Sequence, residues 1–219
     1  MIIKNQALFE AKQLSVFGKG ELFAQIQPLL DKEEIKILNV FDDTLPGVEY
    51  KIEKYVHQED ALFDLLYCVG YKDMYARFRR YKEIKEMGFN IVSFIADNAI
   101  LSDKASIGNG TMINQGVIID NFVNIGECCF VNIGAMISHH TVIQDNTFIA
   151  PGANIAGYVM VGEGAFIGAN ATIIDKVKIG EYSVIAAGAV VIADVSPYSL
   201  VAGNPAVIKR TDRLDGVSK

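Results

Sequence analysis

Cationic excess is missing from this sequence: 20 Lys and Arg stand against 26 Asp and Glu, a formal net charge of −6. No global field draws the chain to nucleic acid, so any anionic ligand has to be held by local groups. No apolar run of about 18 residues occurs, which argues against a membrane-spanning helix. The opening Met1-Ile2-Ile3-Lys4-Asn5 passes into mixed polar sequence instead of the apolar stretch of a signal peptide. Cysteine is scarce. Cys68, Cys128 and Cys129 lack metal-ligand spacing, and the adjacent pair would point to opposite sides of an extended chain. They read as reduced core or surface residues, which with the other absences places the protein in the cytoplasm without a bound metal. Proline is rare too, at 5 residues, whereas 19 glycines and 51% apolar residues suit a compact, β-rich chain. A length of 219 residues accommodates one large domain or two small ones.

What is present is a period. From Ile95 in steps of six come Leu101, Ile107, Ile113, Ile119, Ile125, Val131, Ile137 and Ile143. The series runs on through Ile149, Ile155, Val161, Ile167, Ile173, Ile179, Ile185 and Val191, seventeen positions that are all Ile, Leu or Val. Four residues after each stands a small or β-branched residue, from Ala99 and Ala105 to Val195. No isolated strand or helix repeats every six residues; a solenoid with a triangular coil does, one hexad to a side. The aliphatic residue then points into a narrow prism, the small residue fills the tighter corner, and Gly and Asn serve the bends. Three hexads close a coil, so the prism has between five and six coils and a length of roughly 25 to 28 Å. A β-sandwich would instead alternate with period two.

The first ninety residues follow a different plan. Gln13–Phe17 reads as a strand before Gly18-Lys19-Gly20, and Glu21–Leu30 as a helix with Leu22, Phe23, Ile26, Leu29 and Leu30 inward. Ile35–Phe41 is a second strand ending in Asp42-Asp43, and Ala61–Val69 a third ending in Gly70-Tyr71-Lys72. Asp73–Met87 is a helix with Met74, Phe78, Tyr81, Ile84 and Met87 inward, Asp73 as N-cap and Gly88 past its end. Ile91–Ile95 then leads into the repeat. Alternating strands and helices imply a small parallel sheet with right-handed crossovers, whose ligands sit at the carboxyl ends of the strands. Glycines before a helix let backbone N–H groups approach phosphate, and an acid after the second strand suits a ribose or base. The expected organisation is an α/β Rossmann-like unit over 1–92, a β-helix over 93–202 and a tail over 203–219.

Such a front unit joined to a hexapeptide prism resembles the sugar O/N-acyltransferases, a family that includes the bacillosamine-pathway and perosamine N-acetyltransferases. The resemblance rests on Val16-Phe17-Gly18-Lys19-Gly20, on Phe41-Asp42-Asp43, and on Asn132-Ile133-Gly134-Ala135-Met136-Ile137-Ser138-His139-His140. It also rests on Ile149-Ala150-Pro151-Gly152-Ala153-Asn154-Ile155-Ala156-Gly157 and on Gly203-Asn204-Pro205-Ala206. Glu21 stands where another glycine is common. The acid that usually follows the catalytic histidine is replaced by His140, and a further histidine usual at Phe148 is missing. The resemblance implies a left-handed β-helix, a homotrimer with CoA between prisms, and transfer of acetyl from acetyl-CoA to an amine of a nucleotide-linked amino sugar. Gly70-Tyr71-Lys72-Asp73-Met74 and Arg77 favour a dTDP- or UDP-linked 4-amino-4,6-dideoxyhexose. Products of that kind enter cell-surface polysaccharides, such as the O-antigen of lipopolysaccharide.

The resemblance implies His139 as general base, with Asn132, Gly157 and His140 in the catalytic set. Gly18, Lys19, Gly20, Asp42, Asp43, Gly70, Tyr71 and Lys72 are implied for the nucleotide sugar. For CoA it implies Gly157, Asn204 and Pro205, and the cationic Lys176, Lys178 and Lys209 toward the C-terminal coils suit the CoA phosphates. Residues 18 apart stack one coil apart, which sets Gly157 beside His139 and lets its N–H face a thioester oxygen; Asn121 lies in the same column on the other side. His57, in a charged stretch, reads as a surface residue. A zinc carbonic anhydrase on the same prism needs three histidine ligands, and only two fall in the repeat. An O-acetyltransferase on a small hydroxyl acceptor and an inactive nucleotide-sugar-binding scaffold stand as alternatives.

Overall fold

The computed structural model describes residues 2–3, 13–32, 34–44, 51–55 and 64–211. His57 lies outside them, as do 61–63 of the expected third strand and 212–219 of the expected tail. The chain divides into two compact units, Met1–Phe94 and Ile95–Lys219.

In the first unit, strands β1 (Ile2–Ile3), β2 (Gln13–Phe17), β3 (Lys36–Phe41), β4 (Asp64–Tyr67) and β5 (Asn90–Ile95) run parallel in the order β1-β5-β4-β2-β3. Central β2 and β4 are almost continuously buried, as a parallel sheet requires. Helix α1 (Glu21–Lys32) buries Leu22, Phe23, Ile26 and Leu30 at the expected helical spacing. Helix α2 (Met74–Glu86) starts at Asp73, whose carboxylate accepts the Ala76 N–H at 2.8 Å, and buries Arg77, Phe78, Tyr81 and Ile84. Between sheet and α2, Tyr67 packs edge-on to Tyr81 and donates its hydroxyl to the Arg77 carbonyl at 2.6 Å.

The second unit is a parallel β-solenoid. Its first face holds Met112–Ile113, Phe130–Val131, Phe148–Ile149, Phe166–Ile167 and Val184–Ile185. The second runs from Ile100–Leu101 through Met136–Ile137 to Val190–Val191, and the third from Ser106–Ile107 through Val142–Ile143 to Lys178–Ile179. Partners on each face stand 18 residues apart, as in Ile137↔Ile155 and Ile143↔Val161. All seventeen aliphatic residues are buried except half-buried Leu101 and Ile107. From Thr111 onward every small residue four places later is buried as well.

The bends are more uniform than the sequence suggested. Every sixth residue from Gly110 to Gly188 has positive φ, whether glycine (Gly134, 65°) or not (Phe122, 60°; His140, 61°; Tyr158, 58°; Lys176, 65°). The last coil is two residues short. Val184 pairs with Leu200, Ile179 with Val195, and Tyr198 takes the next positive-φ bend. Val195 therefore fills an aliphatic position and not the small-residue position expected of it. The segment expected as a tail starts by turning back: Val207–Arg210 pairs antiparallel with Leu200–Ala202. Among the described residues no helix is long and apolar enough to cross a membrane.

Two glycines separate the constraints. A Cβ on Gly168 would lie 2.5 Å from the Ala187 nitrogen and 2.6 Å from the Ile185 carbonyl oxygen, rigid backbone of the next coil. At Gly134 nothing lies within 4 Å, and only the positive φ opposes a side chain. Gly134→Ala is expected to cost about 1–2 kcal/mol, and Gly168→Ala clearly more because a coil has to shift. Thermal unfolding midpoints in the opposite order contradict this reading of the prism.

Candidate functional site

In the first unit the carboxyl ends of β2, β3 and β4 surround a pocket of about 820 Å³. Of the residues expected to hold a nucleotide sugar, Gly18, Gly20, Asp42, Asp43, Gly70, Tyr71 and Lys72 line it. Lys19 stands at its edge through its N–H, which donates to Asp42 Oδ2 at 2.8 Å. Gly18 is obligatory by packing: its φ is 95°, and a Cβ there would lie 2.9 Å from the Cys68 carbonyl group. That close approach is fixed by Gly18 N–H to Phe41 O and Cys68 N–H to Phe17 O, both 2.7 Å. Gly20 has open space where a side chain would be, so the backbone at the start of α1 faces the pocket.

The two acids do local work. Asp42 accepts from Lys19 and, through Oδ1, from the Thr44 N–H at 2.8 Å and the Thr44 hydroxyl. Burial pushes its pKa up, but these bonds and the charge of Lys51 outweigh burial and leave it below the ordinary value of 3.8. Asp43 is gripped by Arg80 through Nε at 2.8 Å and Nη2 at 3.1 Å. Arg80 also bonds Glu53 and Glu83, and lies over the Phe17 ring at 5.2 Å from its centre. Burial works against its charge, yet hydrogen bonds to Glu53 and Asp43 and their charges raise its pKa. Glu53 likewise feels burial first, but Arg80 holds it below its ordinary 4.5. Sequence reasoning missed Arg80; the available signal was its place three residues after Arg77 on a helix that begins at the strand ends.

In the solenoid, His139 and His140 occupy the bend between the second and third faces, both exposed. The His140 N–H donates to the Asn121 carbonyl and the Tyr158 N–H to the His139 carbonyl, each at 3.0 Å. The His139 ring lies against Gly157, where a Cβ would fall 2.6 Å from Cε1 and 3.0 Å from Nε2, so only glycine leaves the imidazole this place. His140 stacks between Phe122 and Tyr158, ring centres 4.9 and 4.7 Å away, and its Nδ1 is 3.3 Å from that of His139.

Within one chain the structure places three groups of these residues as follows. The Gly157 N–H does not face an open space: it donates to Asp175 Oδ1 at 2.9 Å, because the acid one coil on reaches back along the axis as Asp145 does to the Glu127 N–H. Asn132 is not beside His139. It sits at the previous bend, after the first face, where its Oδ1 accepts from Asn114 Nδ2 at 3.1 Å and from the Ile133 N–H at 2.8 Å. The residues expected to bind CoA do not form one cluster either. Lys176 follows Asp175 in the His139 corner and Lys178 lies on the third face, beside a pocket of about 440 Å³ at the shortened coil. Asn204, Pro205 and Lys209 belong to the antiparallel strand pair beyond the first face. Cys128 and Cys129 are wholly buried, at a different bend from His139.

Asp42 and Glu53 with lowered pKa add stability above their unfolded values, and that contribution is lost as pH falls through the folded ones. Stability of the first unit should therefore drop between about pH 5 and 2, and less steeply in Asp42→Asn. Urea midpoints across that range test this; an equal slope in the variant contradicts it.

Residues 158–193 match the bacterial transferase hexapeptide family (six repeats). No curated protein sequence matches the chain. Among solved structures, PerB from Caulobacter crescentus, in complex with CoA and GDP-perosamine, is 26% identical with a TM-score of 0.81, covering 90% of this chain and 97% of that one. The acetyltransferase domain of PglB from Neisseria gonorrhoeae FA1090, in complex with acetyl coenzyme A, is 22% identical with a TM-score of 0.76, covering 90% and 98%. WeeI from Acinetobacter baumannii AYE is 21% identical with a TM-score of 0.76, covering 90% and 99%; these last two likenesses speak for the fold. The hexapeptide match over 158–193, taken with a likeness to PerB that spans nine-tenths of the chain, makes this protein similar to the hexapeptide-repeat acyltransferases.

Proposed function

We propose that the protein transfers acetyl from acetyl-CoA to the amine of a nucleotide-linked amino sugar, a dTDP- or UDP-linked 4-amino-4,6-dideoxyhexose in the favoured case. The observation that carries this reading is the placement of His139 against Gly157, an exposed imidazole in a niche kept free of side chain. The amine nitrogen attacks the thioester carbon, a C–N bond forms and the C–S bond breaks. His139 accepts the ammonium proton at its free Nε2 and passes it to the thiolate. The Gly157 N–H serves the tetrahedral oxyanion once the thioester oxygen replaces the Asp175 carboxylate on it.

The pocket at the strand ends of the first unit, which we read as a Rossmann-like fold, takes the nucleotide. Its backbone N–H groups near Gly20 meet phosphate, and Arg80, Lys72 and Tyr71 supply cationic and aromatic partners for phosphate and base. The prism winds left-handed and assembles as a homotrimer in the cytoplasm. Ile100, Ile118 and Met136 form an exposed apolar column on its second face, which suits prism-to-prism contact. Within one chain Asn132 and His139 stand at different bends, so Asn132 joins the site as the contribution of a neighbouring copy. CoA runs along such an interface, its phosphates near Lys176 and Lys178.

His139→Ala is expected to lower kcat by roughly 10²–10⁴ while acetyl-CoA still binds. In the wild type dTDP or UDP should raise the thermal midpoint, and light scattering should give three chains per particle. Wild-type kcat in the variant at every pH removes His139 from the reaction. Nucleotides that leave the midpoint unchanged remove the nucleotide sugar and favour a simple acceptor hydroxyl.

A further inference from the structure

At the bend that carries His139, one column of bend residues reads Lys104, Phe122, His140, Tyr158 and Lys176, each 18 residues from the next. Its middle is a continuous stack. The Lys104 ammonium lies 4.8 Å from the centre of Phe122, Phe122 meets His140, and His140 lies nearly parallel to Tyr158 at 16°. The His140 backbone is fixed as well, by its φ of 61° and its N–H bond to Asn121. His139 stands across this stack, edge-on to His140 at 82° and to Tyr158 at 81°.

The only polar contact between the two imidazoles given by this geometry is Nδ1 to Nδ1 at 3.3 Å. Two such nitrogens share one proton, so one ring donates and the other accepts. If His140 donated, His139 would carry its own proton on Nε2 and could take none from an amine. If His139 donates, its Nε2 is bare and His140 keeps its proton on Nε2. We propose that His140, clamped between Phe122 and Tyr158, is the positioning residue that sets the tautomer of His139 and accepts its Nδ1–H, a neutral imidazole in place of a carboxylate. This rests on His139 being the base.

The other titratable groups of this corner are Asp103, Lys104 and Asp120 on the preceding coils and Tyr158, Asp175 and Lys176 on the following ones. Asp120 accepts from the Asn121 N–H at 2.6 Å and Asp175 from Gly157, so each of these carboxylates already has a backbone partner.

Two substitutions separate the nitrogen from the stack. His140→Phe keeps an aromatic ring at a bend where Phe122 and Tyr158 already adopt positive φ, so the fold should tolerate it. We expect an unchanged thermal midpoint and a kcat/KM lower by about tenfold or more. His140→Asp puts an anion beside His139, raises the pKa of the base, and moves the acid limb of kcat/KM to higher pH while restoring activity relative to His140→Phe. Histidine-selective ¹⁵N NMR on the whole protein is the readout that needs no turnover: near neutral pH His139 should show a protonated Nδ1 and a bare Nε2. A protonated Nε2 on His139 overturns the proposal, as does His140→Phe with the wild-type rate and pH profile. The expected NMR pattern in a protein that acetylates no amine would leave the pair standing and remove the reaction assigned to it.

Discussion

Three hexads close one coil, and the hydrogen bonds of each face then run between residues 18 apart, as in Met136↔Asn154. Everything else in the solenoid depends on this stacking. It allows one inward aliphatic residue per hexad, leaves a small residue the remaining interior, and forces a positive φ at each bend from Gly110 to Gly188. β-Branched residues are absent from those bend positions, and glycine, asparagine, aromatic residues, cysteine and lysine take them. Side chains at one bend form axial columns at a spacing of about 4.8 Å. The Phe122–His140–Tyr158 stack and the seating of His139 on Gly157 are both columns of this kind. The chemistry at this corner is thus a by-product of the packing rule.

The first unit uses a different constraint, the crowding of strand ends. Gly18 lies so close to Cys68 that no Cβ fits, and this brings the ends of β2, β3 and β4 around one pocket. Carboxylates gathered there would repel one another without Arg80, which holds Asp43, Glu53 and Glu83 together. The same pocket is also lined by Lys72, Arg77 and Arg79, so acids and cations share its rim.

The prism was legible because its signal is local and repeated: Ile95 to Val191 by sixes states the period, and the period states the coil. Helix α2 was legible in the same way, through Phe78, Tyr81 and Ile84 and the Asp73 cap. What stayed hidden depended on departures from the period or on contacts between columns. The two missing residues before Val195 keep an aliphatic residue at a plausible spacing, so the series gives no warning that the register has changed. The period puts Gly157 beside His139, and one rung further the same column carries Asp175, whose carboxylate holds the Gly157 N–H. Asn132, seven residues before His139, lies one prism side away because seven residues turn a corner here. Arg80 was obscured by its surroundings, a run of charged residues that reads as solvated surface.

The central claim is that acetyl leaves CoA for a sugar nitrogen at the His139 corner. The direct measurement is product analysis by NMR after incubation of the wild-type protein with acetyl-CoA and a dTDP- or UDP-linked 4-amino-4,6-dideoxyhexose. The account predicts one acetamide on the sugar for each CoA thiol released. Thiol release with the amine intact, or an ester on a sugar hydroxyl that hydroxylamine removes, would contradict it.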